Sequence, residues 1–335
     1  MVEKTLQKVN NVQYIPMKKL CILGATGSLG TQTLEVLSRP LFKRHIEIQA
    51  TSAARQKEKL EKTPAKQRYL GTCAKELCRL IDQADIVVNV LPGKAGIEPS
   101  KHALKRGKTL LLGNKESVVV AGLNSPQIIP LDSEHNAIYE ITKACPEKTL
   151  TGIILTCSGG PFWDCSARAL EQVSATEALQ NPRWQMGPKV SVESALLLNK
   201  GLEIIEAHYL FGCPLEKISV LVHPEARVHS LVRFAEDPLP YAYISLPDMR
   251  EHIENALCRA LELPVPPREV RPLDIQGDEF VFKKPLHPHL TGIEKVLKVF
   301  RKSPFEMKEF LAREEDLIQS FLKNEIGLLE ILEQL

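Results

Sequence analysis

The chain has 335 residues, of which 44% are hydrophobic and 25% charged, as in an ordinary globular protein of roughly two or three domains. A formal net charge of +2, without a basic run interleaved with aromatic residues, excludes an electrostatic nucleic-acid surface. No apolar run is long enough to cross a bilayer. We therefore expect neither a nucleic acid nor a membrane as partner.

The cysteines and the N-terminus both bear on the cellular compartment. The eight cysteines form no CxxC pair and show no disulfide spacing, which predicts a reduced, cytoplasmic protein. Residues 1–17 lack the apolar core of a secretory signal, and we interpret them as an extension before a start at Met17.

Strands and helices alternate along residues 18–130. Apolar strands are predicted at 18–23, 46–51, 85–91 and 109–112, and helices at 31–39 and 98–106. This alternation is typical of a doubly wound parallel sheet, so the predicted fold class is α/β with an N-terminal Rossmann-type domain.

A second α/β region is predicted to begin near residue 128. Its strands are expected at 128–131, 151–156, 218–222 and 242–246, and its helices at 191–208 and 248–261. We divide the chain into an N-terminal extension (1–17), a Rossmann domain (18–130), an α/β catalytic domain (131–262) with a lid loop at 181–189, a proline-rich linker (263–290) and a small, shortened C-terminal helical domain (291–335).

The segment GATGSLG (24–30) places three glycines between a predicted strand and a predicted helix. Such a turn lets backbone N–H groups approach a pyrophosphate at a helix N-terminus, although it is also compatible with a tight structural turn. The second strand is followed by Arg55 and Gln56 rather than by an acid. Arg55 suits the 2′-phosphate of NADP, unless it is only a solvated residue at a helix start.

Three carboxylates are candidates for a metal site. Asp132 and Glu134 are two residues apart, so they share one side of the chain if it is still extended there, with Ser133 opposite. Together with Glu203 they form an all-oxygen set that suits Mg²⁺ or Mn²⁺. A capped turn is the alternative interpretation, and His135 is either a ligand or a hydrogen-bonded structural residue.

Polar residues gather on the predicted helix 191–208, which follows a loop containing Trp184. Asn199 and Glu203 lie four residues apart on one helix face, which indicates a small-molecule site beneath a lid. The glycine turn after Ser158 is either an anion nest or a plain turn. Lys115 follows a strand of the first sheet, where it binds a substrate oxygen or is simply solvated.

Seven segments, in this order, carry a resemblance to a known family: GATGSLG (24–30), GNKE (113–116), PLDSEHNAI (130–138), LTCSGGPF (155–162), RWQMGPKVSVESALLLNKGLEIIEA (183–207), VHPEARVHSLV (222–232) and PDMR (247–250). Over residues 18 to about 255 the chain resembles 1-deoxy-D-xylulose 5-phosphate reductoisomerase. The resemblance implies an NADPH- and Mn²⁺- or Mg²⁺-dependent enzyme of the non-mevalonate isoprenoid pathway. Its sugar phosphate substrate would be rearranged and then reduced to 2-C-methyl-D-erythritol 4-phosphate.

The resemblance also implies roles for individual residues. Metal ligands would be Asp132, Glu134 and Glu203. Substrate would be bound by Ser133, Ser158, Asn181, Ser194, Asn199 and Lys200, with Lys115, Glu134, Trp184 and His223 as catalytic residues. The cofactor would be lined by Thr26, Gly27, Ser28, Leu29, Ala54, Arg55, Gln56, Asn114, Glu116, Met186 and Gly187.

The chain departs from the family pattern at several positions. Asn181 begins the lid where the family has a histidine, and Gln185 stands where Ser or Asn is common. Glu225 follows His223 and is expected to raise the pKa of that histidine. The chain is also short, which leaves less surface for the homodimer of the family. Two alternatives therefore stay open: an NADPH-dependent oxidoreductase for a related sugar phosphate, and a non-catalytic NADPH-binding homologue.

Overall fold

Two β-sheets and a set of C-terminal helices organise the computed structural model, which describes residues 16–180, 187–286 and 289–335. The first sheet has six parallel strands in the order β3-β2-β1-β4-β5-β6. The strands are β1 (Lys18–Leu23), β2 (Ile46–Ala53), β3 (Gln67–Leu70), β4 (Ile86–Asn89), β5 (Thr109–Leu112) and β6 (Ile128–Pro130). This arrangement confirms the predicted Rossmann-type sheet.

Helices cover both faces of this sheet, as the alternation in sequence predicts. They are α1 (Ser28–Leu37), α2 (Pro40–Lys43), α3 (Lys57–Glu61), α4 (Ala74–Asp82), α5 (Ile97–Lys105) and α6 (Lys115–Val119). The central strand β4 is buried along its whole length, which explains its continuous apolar sequence.

Two predictions about this sheet need correction. The strand at 128–131 was assigned to the second region, but β6 pairs in parallel with β5 and closes the first sheet. The edge strand β3 was not predicted, because its sequence QRYL is polar and mostly exposed. An edge strand is stabilised by backbone pairing with β2 and needs no apolar face of its own.

The second sheet is mixed and has the order β11-β10-β9-β7-β8. Its strands are β7 (Leu150–Cys157), β8 (Ile218–Val222), β9 (Val228–Phe234), β10 (Tyr241–Ile244) and β11 (Glu269–Pro272). Only β7 and β8 are parallel. The segment predicted as a linker, 263–290, thus contains a paired edge strand, β11.

The helices that follow β6 in the chain are α7 (Ser133–Ala144), α8 (Ala167–Leu170), α9 (Ala175–Ala178), α10 (Pro188–Ala195), α11 (Leu198–Phe211) and α12 (Met249–Ala260). Helix α7 packs against the second sheet, whereas α12 packs against α1 and the first sheet. The single helix predicted at 191–208 is wrong: it is split into α10 and α11. The break lies at Leu197, whose φ of 52° is left-handed and cannot continue a right-handed helix.

Three helices complete the chain: α13 (His289–Phe300), α14 (Pro304–Leu322) and α15 (Leu328–Gln334). They share one hydrophobic core with α10 and α11. Helix α13 packs closely against the junction between α10 and α11, because a Cβ on Gly292 of α13 would lie only 2.0 Å from the carbonyl oxygen of Leu196. No helix among the described residues is long and apolar enough to span a membrane.

Candidate active site

One pocket lies where the carboxyl ends of the two sheets meet α10 and α11. Its cavity volume is about 240 Å³. Most of its polar lining residues had been predicted as site residues: Ser28, Lys115, Asp132, Ser133, Glu134, Ser158, Ser194, Asn199, Lys200 and Glu203. Leu29 from the glycine turn and Gly187 at the start of α10 also line it. The structure therefore brings three separately predicted groups, the glycine turn, the carboxylates and the polar helix, into one cavity.

The three carboxylates Asp132, Glu134 and Glu203 converge, with one oxygen from each within 4.8 Å of the others. The extended geometry predicted for the first two is wrong, because α7 begins at Ser133. Asp132 is the residue before the helix and Glu134 lies in its first turn. The hydroxyl of Ser133 does not point away but donates to Glu134 Oε2 at 2.5 Å. Glu203 reaches the same point from α11.

Two ammonium groups, the buried Lys200 and the half-buried Lys115, neutralise these carboxylates. Lys200 Nζ donates to Glu134 Oε1 at 2.6 Å and to the carbonyl oxygen of Thr156 at 2.6 Å, and it also pairs with Glu203. Lys115 Nζ bonds to Asp132 and lies 3.2 Å from Glu206 Oε2. Lys200, predicted to bind a phosphate, therefore occupies the carboxylate cluster in this structure.

Burial and neighbouring charges shift the pKa values of Glu203 and Asp132 in opposite directions. Burial, with the charge of Glu134, raises the pKa of Glu203 to about 8. Burial also acts to raise the pKa of Asp132, but the surrounding positive groups, led by the ammonium of Lys115, together outweigh it and hold that pKa well below its usual range. The pKa of Lys115 itself is raised, because the surrounding carboxylates outweigh the effect of its burial. The raised pKa of Glu203 favours its protonated form, and a divalent cation bound there would compete with that proton.

The cluster fits a hard divalent cation. It offers three carboxylate groups that converge from two helices, and oxygen ligands of this kind suit Mg²⁺ and Mn²⁺. The two ammonium groups compensate the negative charge of these carboxylates, as a bound divalent cation would. The amide of Asn199 donates to Glu203 and orients that carboxylate from the preceding turn of α11.

Glu206 is a buried member of this site that the sequence analysis missed. It lies three residues after Glu203 on α11, so the helical spacing of the two acids was the available signal. His135 packs beside it and donates from Nε2 to the carbonyl oxygen of Glu203 at 3.0 Å. Its Nδ1 lies 3.9 Å from both Asp132 and Glu206. The Nε2 hydrogen bond lets His135 support α11, and its Nδ1 lies close enough to Asp132 and Glu206 for the three to form a second possible metal-binding group, so both alternatives stay predictions.

Three of the predicted phosphate donors, Ser158, Ser194 and Asn199, line the same pocket as the carboxylates. Ser158 is followed by Gly159 and Gly160, whose φ angles of 79° and 68° turn the chain sharply after β7. Successive backbone N–H groups in such a turn form a concave anion-binding surface. Ser194 from α10 and Asn199 from α11 line the same cavity.

The glycine turn is tied to β2, as a dinucleotide site requires. The N–H groups of Gly24 and Ala25 donate to the carbonyl oxygen of Ser52 at 3.1 and 2.8 Å. A Cβ on Gly30 would lie 2.2 Å from the carbonyl oxygen of Gly24, so only glycine fits there. Thr26, Gly27 and Ser28 form the outer, solvent-accessible part of the turn. The exposed residues Ala54, Arg55 and Gln56 follow β2 directly.

The structure gives Asn114, predicted to contact the cofactor, a clear structural role. Its side chain accepts from the N–H of Ser117 at 3.0 Å and so caps the start of α6. It also donates to the carbonyl oxygen of Leu91 at 2.8 Å and to Glu116 Oε2 at 2.9 Å. Burial raises the pKa of Glu116. This network holds the ends of β4 and β5 together beside the glycine turn.

His223 differs from the prediction. Burial outweighs the neighbouring charge of Glu225 and lowers the pKa of the histidine, whereas a raised pKa was expected. Its Nδ1 donates to the carbonyl oxygen of Val281 at 2.9 Å, and its Nε2 accepts from the N–H of Arg227 at 3.0 Å. Both ring nitrogens are thereby engaged in holding loops. The predicted lid residues Asn181, Trp184, Gln185 and Met186 lie outside the described residues.

Comparison with known proteins gives a consistent result. The model of the family 1-deoxy-D-xylulose 5-phosphate reductoisomerase matches residues 20–69 and 47–122, and the model of its C-terminal domain matches residues 128–211. The reductoisomerase of Halothermothrix orenii is 39% identical over 306 residues, which cover 80% of this chain and 77% of that protein. The enzyme of Geobacter metallireducens is 33% identical over 93% of this chain and 88% of its own length.

Solved structures agree with these sequence matches. A reductoisomerase in complex with NADPH, fosmidomycin and magnesium superposes with a TM-score of 0.80 at 28% identity, over 95% of this chain and 88% of the other. The Zymomonas mobilis enzyme in complex with NADPH gives a TM-score of 0.77 at 29% identity, over 95% and 90% of the two chains.

Proposed function

The chain belongs to the 1-deoxy-D-xylulose 5-phosphate reductoisomerase family, and we propose that it converts 1-deoxy-D-xylulose 5-phosphate to 2-C-methyl-D-erythritol 4-phosphate with NADPH and Mn²⁺ or Mg²⁺. The observation that carries this proposal is the single pocket that joins a glycine turn, three convergent carboxylates and a group of anion donors. The glycine turn would bind the reductant, the carboxylates the cation, and the anion donors the substrate phosphate.

The carboxylates of Asp132, Glu134 and Glu203 would hold the divalent cation. When bound, the cation supplies Lewis-acid polarisation of neighbouring substrate oxygens. Lys115 stays protonated, because carboxylates surround it, and so serves as a hydrogen-bond donor to a substrate oxygen rather than as a base.

The phosphate would be bound by Ser158, Ser194, Asn199 and Lys200. The first three line the cavity, where the glycine turn after β7 adds backbone N–H groups. Lys200 pairs with the carboxylates, and it would turn to the phosphate once a cation takes over their charge. Ser133 would contact the substrate hydroxyl groups beside the carboxylates.

NADPH would lie along the glycine turn, with its pyrophosphate at the N-terminus of α1 and its 2′-phosphate against Arg55. Its hydride would reduce the aldehyde formed by rearrangement of the carbon skeleton. Trp184 and Met186 in the lid would cover the reacting carbons and exclude water.

The direct test is NADPH oxidation with 1-deoxy-D-xylulose 5-phosphate, with and without Mn²⁺. We expect turnover that requires the metal and falls by orders of magnitude in Glu203→Gln, with the exposed Glu216→Gln as the matched control. Turnover only with another sugar phosphate, or cofactor binding without any turnover, would replace this proposal with one of the two alternatives.

The lid residue Asn181 deserves a separate variant, Asn181→His. An asparagine provides hydrogen bonds but no proton near neutral pH. An increase in kcat in this variant assigns proton transfer to that position, and an unchanged kcat assigns a purely polar contact. We also propose a cytoplasmic homodimer, supported by eight free thiols and by the family, and sedimentation analysis would measure its mass.

A further inference from the structure

A buried carboxylic acid connects the C-terminal helices to the helix that begins at the lid. Glu314 on α14 is fully buried, and its Oε2 lies 3.5 Å from Nζ of Lys189 on α10. Lys189 also pairs with Glu193, one turn further along α10. This cluster of two carboxyl groups and one ammonium lies outside the pocket, and the proposed reaction does not use it.

The helix that Glu314 contacts carries part of the pocket. Gly187 immediately precedes α10, and Ser194 lies in its last turn; both line the cavity. With only eight residues, α10 is too short to hold its own position, since isolated helices of this length are not stable. Its placement therefore depends on what it packs against.

The C-terminal helices supply that packing. Val192 and Leu196 share a hydrophobic core with Phe310 and Ile318 of α14. The contact from Lys189 Nζ to the carboxyl group of Glu314 adds direction to this packing, because an apolar interface tolerates small sliding movements and a hydrogen bond tolerates them much less.

We propose that Glu314 is a positioning residue for the sugar phosphate site, acting through Lys189 to fix α10 and with it Ser194 and the end of the lid. This inference rests on the proposed function, since it takes Ser194 as a phosphate donor. It gives α14, which contributes no residue to the pocket lining, a role in ligand binding.

The charge balance supports this arrangement. Two carboxyl groups face one ammonium, so a fully ionised cluster would carry an excess buried negative charge. Burial, followed by the charge of Glu193, raises the pKa of Glu314 well above its usual value and so favours its protonated form. A neutral acid at position 314 still accepts from Lys189, which makes glutamine a conservative replacement.

The experiment compares Glu314→Leu, Glu314→Gln and Lys189→Met with the exposed control Glu315→Gln. Calorimetry gives the Kd of 1-deoxy-D-xylulose 5-phosphate for the Mn²⁺-loaded protein, and kinetics give KM and kcat. We expect Glu314→Leu and Lys189→Met to weaken substrate binding on the order of tenfold, with a smaller change in kcat, because a displaced donor helix misplaces the phosphate. Glu314→Gln should retain near wild-type affinity.

The double variant Lys189→Met, Glu314→Leu provides the sharpest test. If Glu314 acts through Lys189, the Kd of the double variant should be no higher than the higher of the two Kd values of the single variants. Equal affinity of Glu314→Leu and wild type, with a lower Tm, overturns the inference and leaves a purely structural role. If Glu314→Leu does not fold, a wild-type affinity of Lys189→Met for the substrate would also overturn the inference. Substrate binding without turnover in the wild type would refute the proposed function alone.

Discussion

Replacing Lys200 with methionine removes one positive charge from the carboxylate cluster and keeps an unbranched side chain of similar length. In the structure this ammonium is buried and bonds to Glu134, Glu203 and the carbonyl oxygen of Thr156. The variant leaves Glu134 and the carbonyl oxygen of Thr156 without this ammonium, and it leaves Glu203 with the more distant ammonium of Lys115, whose Nζ lies 3.6 Å from Glu203 Oε1. We therefore expect Lys200→Met to destabilise the metal-free protein.

The size of the effect follows from burial. Removing one partner of a buried ion pair costs about 3–5 kcal/mol, because the remaining charge is uncompensated. At about 2 °C per kcal/mol for a chain of this length, the Tm of the metal-free variant should fall by about 6–10 °C. Lys217→Met, at an exposed position, is the matched control and should leave the Tm within about 1 °C.

The effect should also depend on pH. Burial raises the pKa of Glu203 to about 8, above the value near 4.5 for an unfolded chain. The folded state then binds more protons between these two values, so the stability from this group is present at low pH and is lost as the pH rises through about 8. The charge of Lys200 lowers the pKa of Glu203, so in the variant this pKa is higher still and stability continues to fall above pH 8, where that of the wild type has levelled off. The variant should therefore lose more stability, relative to the wild type, at pH 9 than at pH 6.

Differential scanning calorimetry in EDTA and in Mn²⁺ tests both the role of Lys200 as a counter-charge and the place of the metal. A divalent cation supplies the missing charge, so Mn²⁺ should raise the Tm of Lys200→Met by more than it raises that of the wild type. An unchanged Tm in EDTA would refute the role of Lys200 as an internal counter-charge. Equal metal-induced shifts in the two proteins would refute the assignment of the metal to these carboxylates.

Three further predictions concern other parts of the site. Gly30→Ala should lower the free energy of unfolding by about 2 kcal/mol or more in urea titrations, whereas Gly27→Ala, whose Cβ would meet its nearest neighbour at 3.5 Å, should change it little. Ser194→Ala should raise the Kd for the sugar phosphate about tenfold in calorimetry and leave that of NADPH unchanged, unlike the exposed Ser166→Ala, which should change neither. Burial lowers the pKa of His252 well below its usual value, so the unfolded chain takes up a proton first and stability falls as the pH drops below about 6.5. His252→Gln should reduce this slope by up to about 1.4 kcal/mol per pH unit in unfolding titrations between pH 5 and 7; an unchanged slope would contradict the reasoning.

The first sheet was largely predictable, because its central strands are buried on both faces and read as apolar runs. The elements that were missed lack that signal. The edge strand β3 is polar, and β11 lies in a proline-rich stretch where backbone pairing alone makes the strand. The break at Leu197 was invisible for another reason: a leucine with a positive φ has no sequence signature, and only tertiary packing holds it there.

The composition of the site was predictable in part, and its geometry was not. Asp132 and Glu134 do converge, but through a helix start rather than through an extended chain. The burial that lowers the pKa of His223 comes from segments far away in sequence, whereas the charge of Glu225 was visible beside it. Glu206 shows the opposite case, since its helical spacing from Glu203 was readable and was overlooked.

The position of Lys200 has a consequence for the order in which ligands bind. The same ammonium cannot neutralise Glu134 and Glu203 and also bind a phosphate. A cation among the carboxylates releases the ammonium, and a phosphate that holds the ammonium leaves the carboxylates free for a cation. On the proposed assignment, metal and phosphate would therefore bind with positive coupling, and thermodynamic linkage requires each to raise the affinity of the other by the same factor. Lys200 would then make a shared charge, rather than a moving domain, the link between the two ligands.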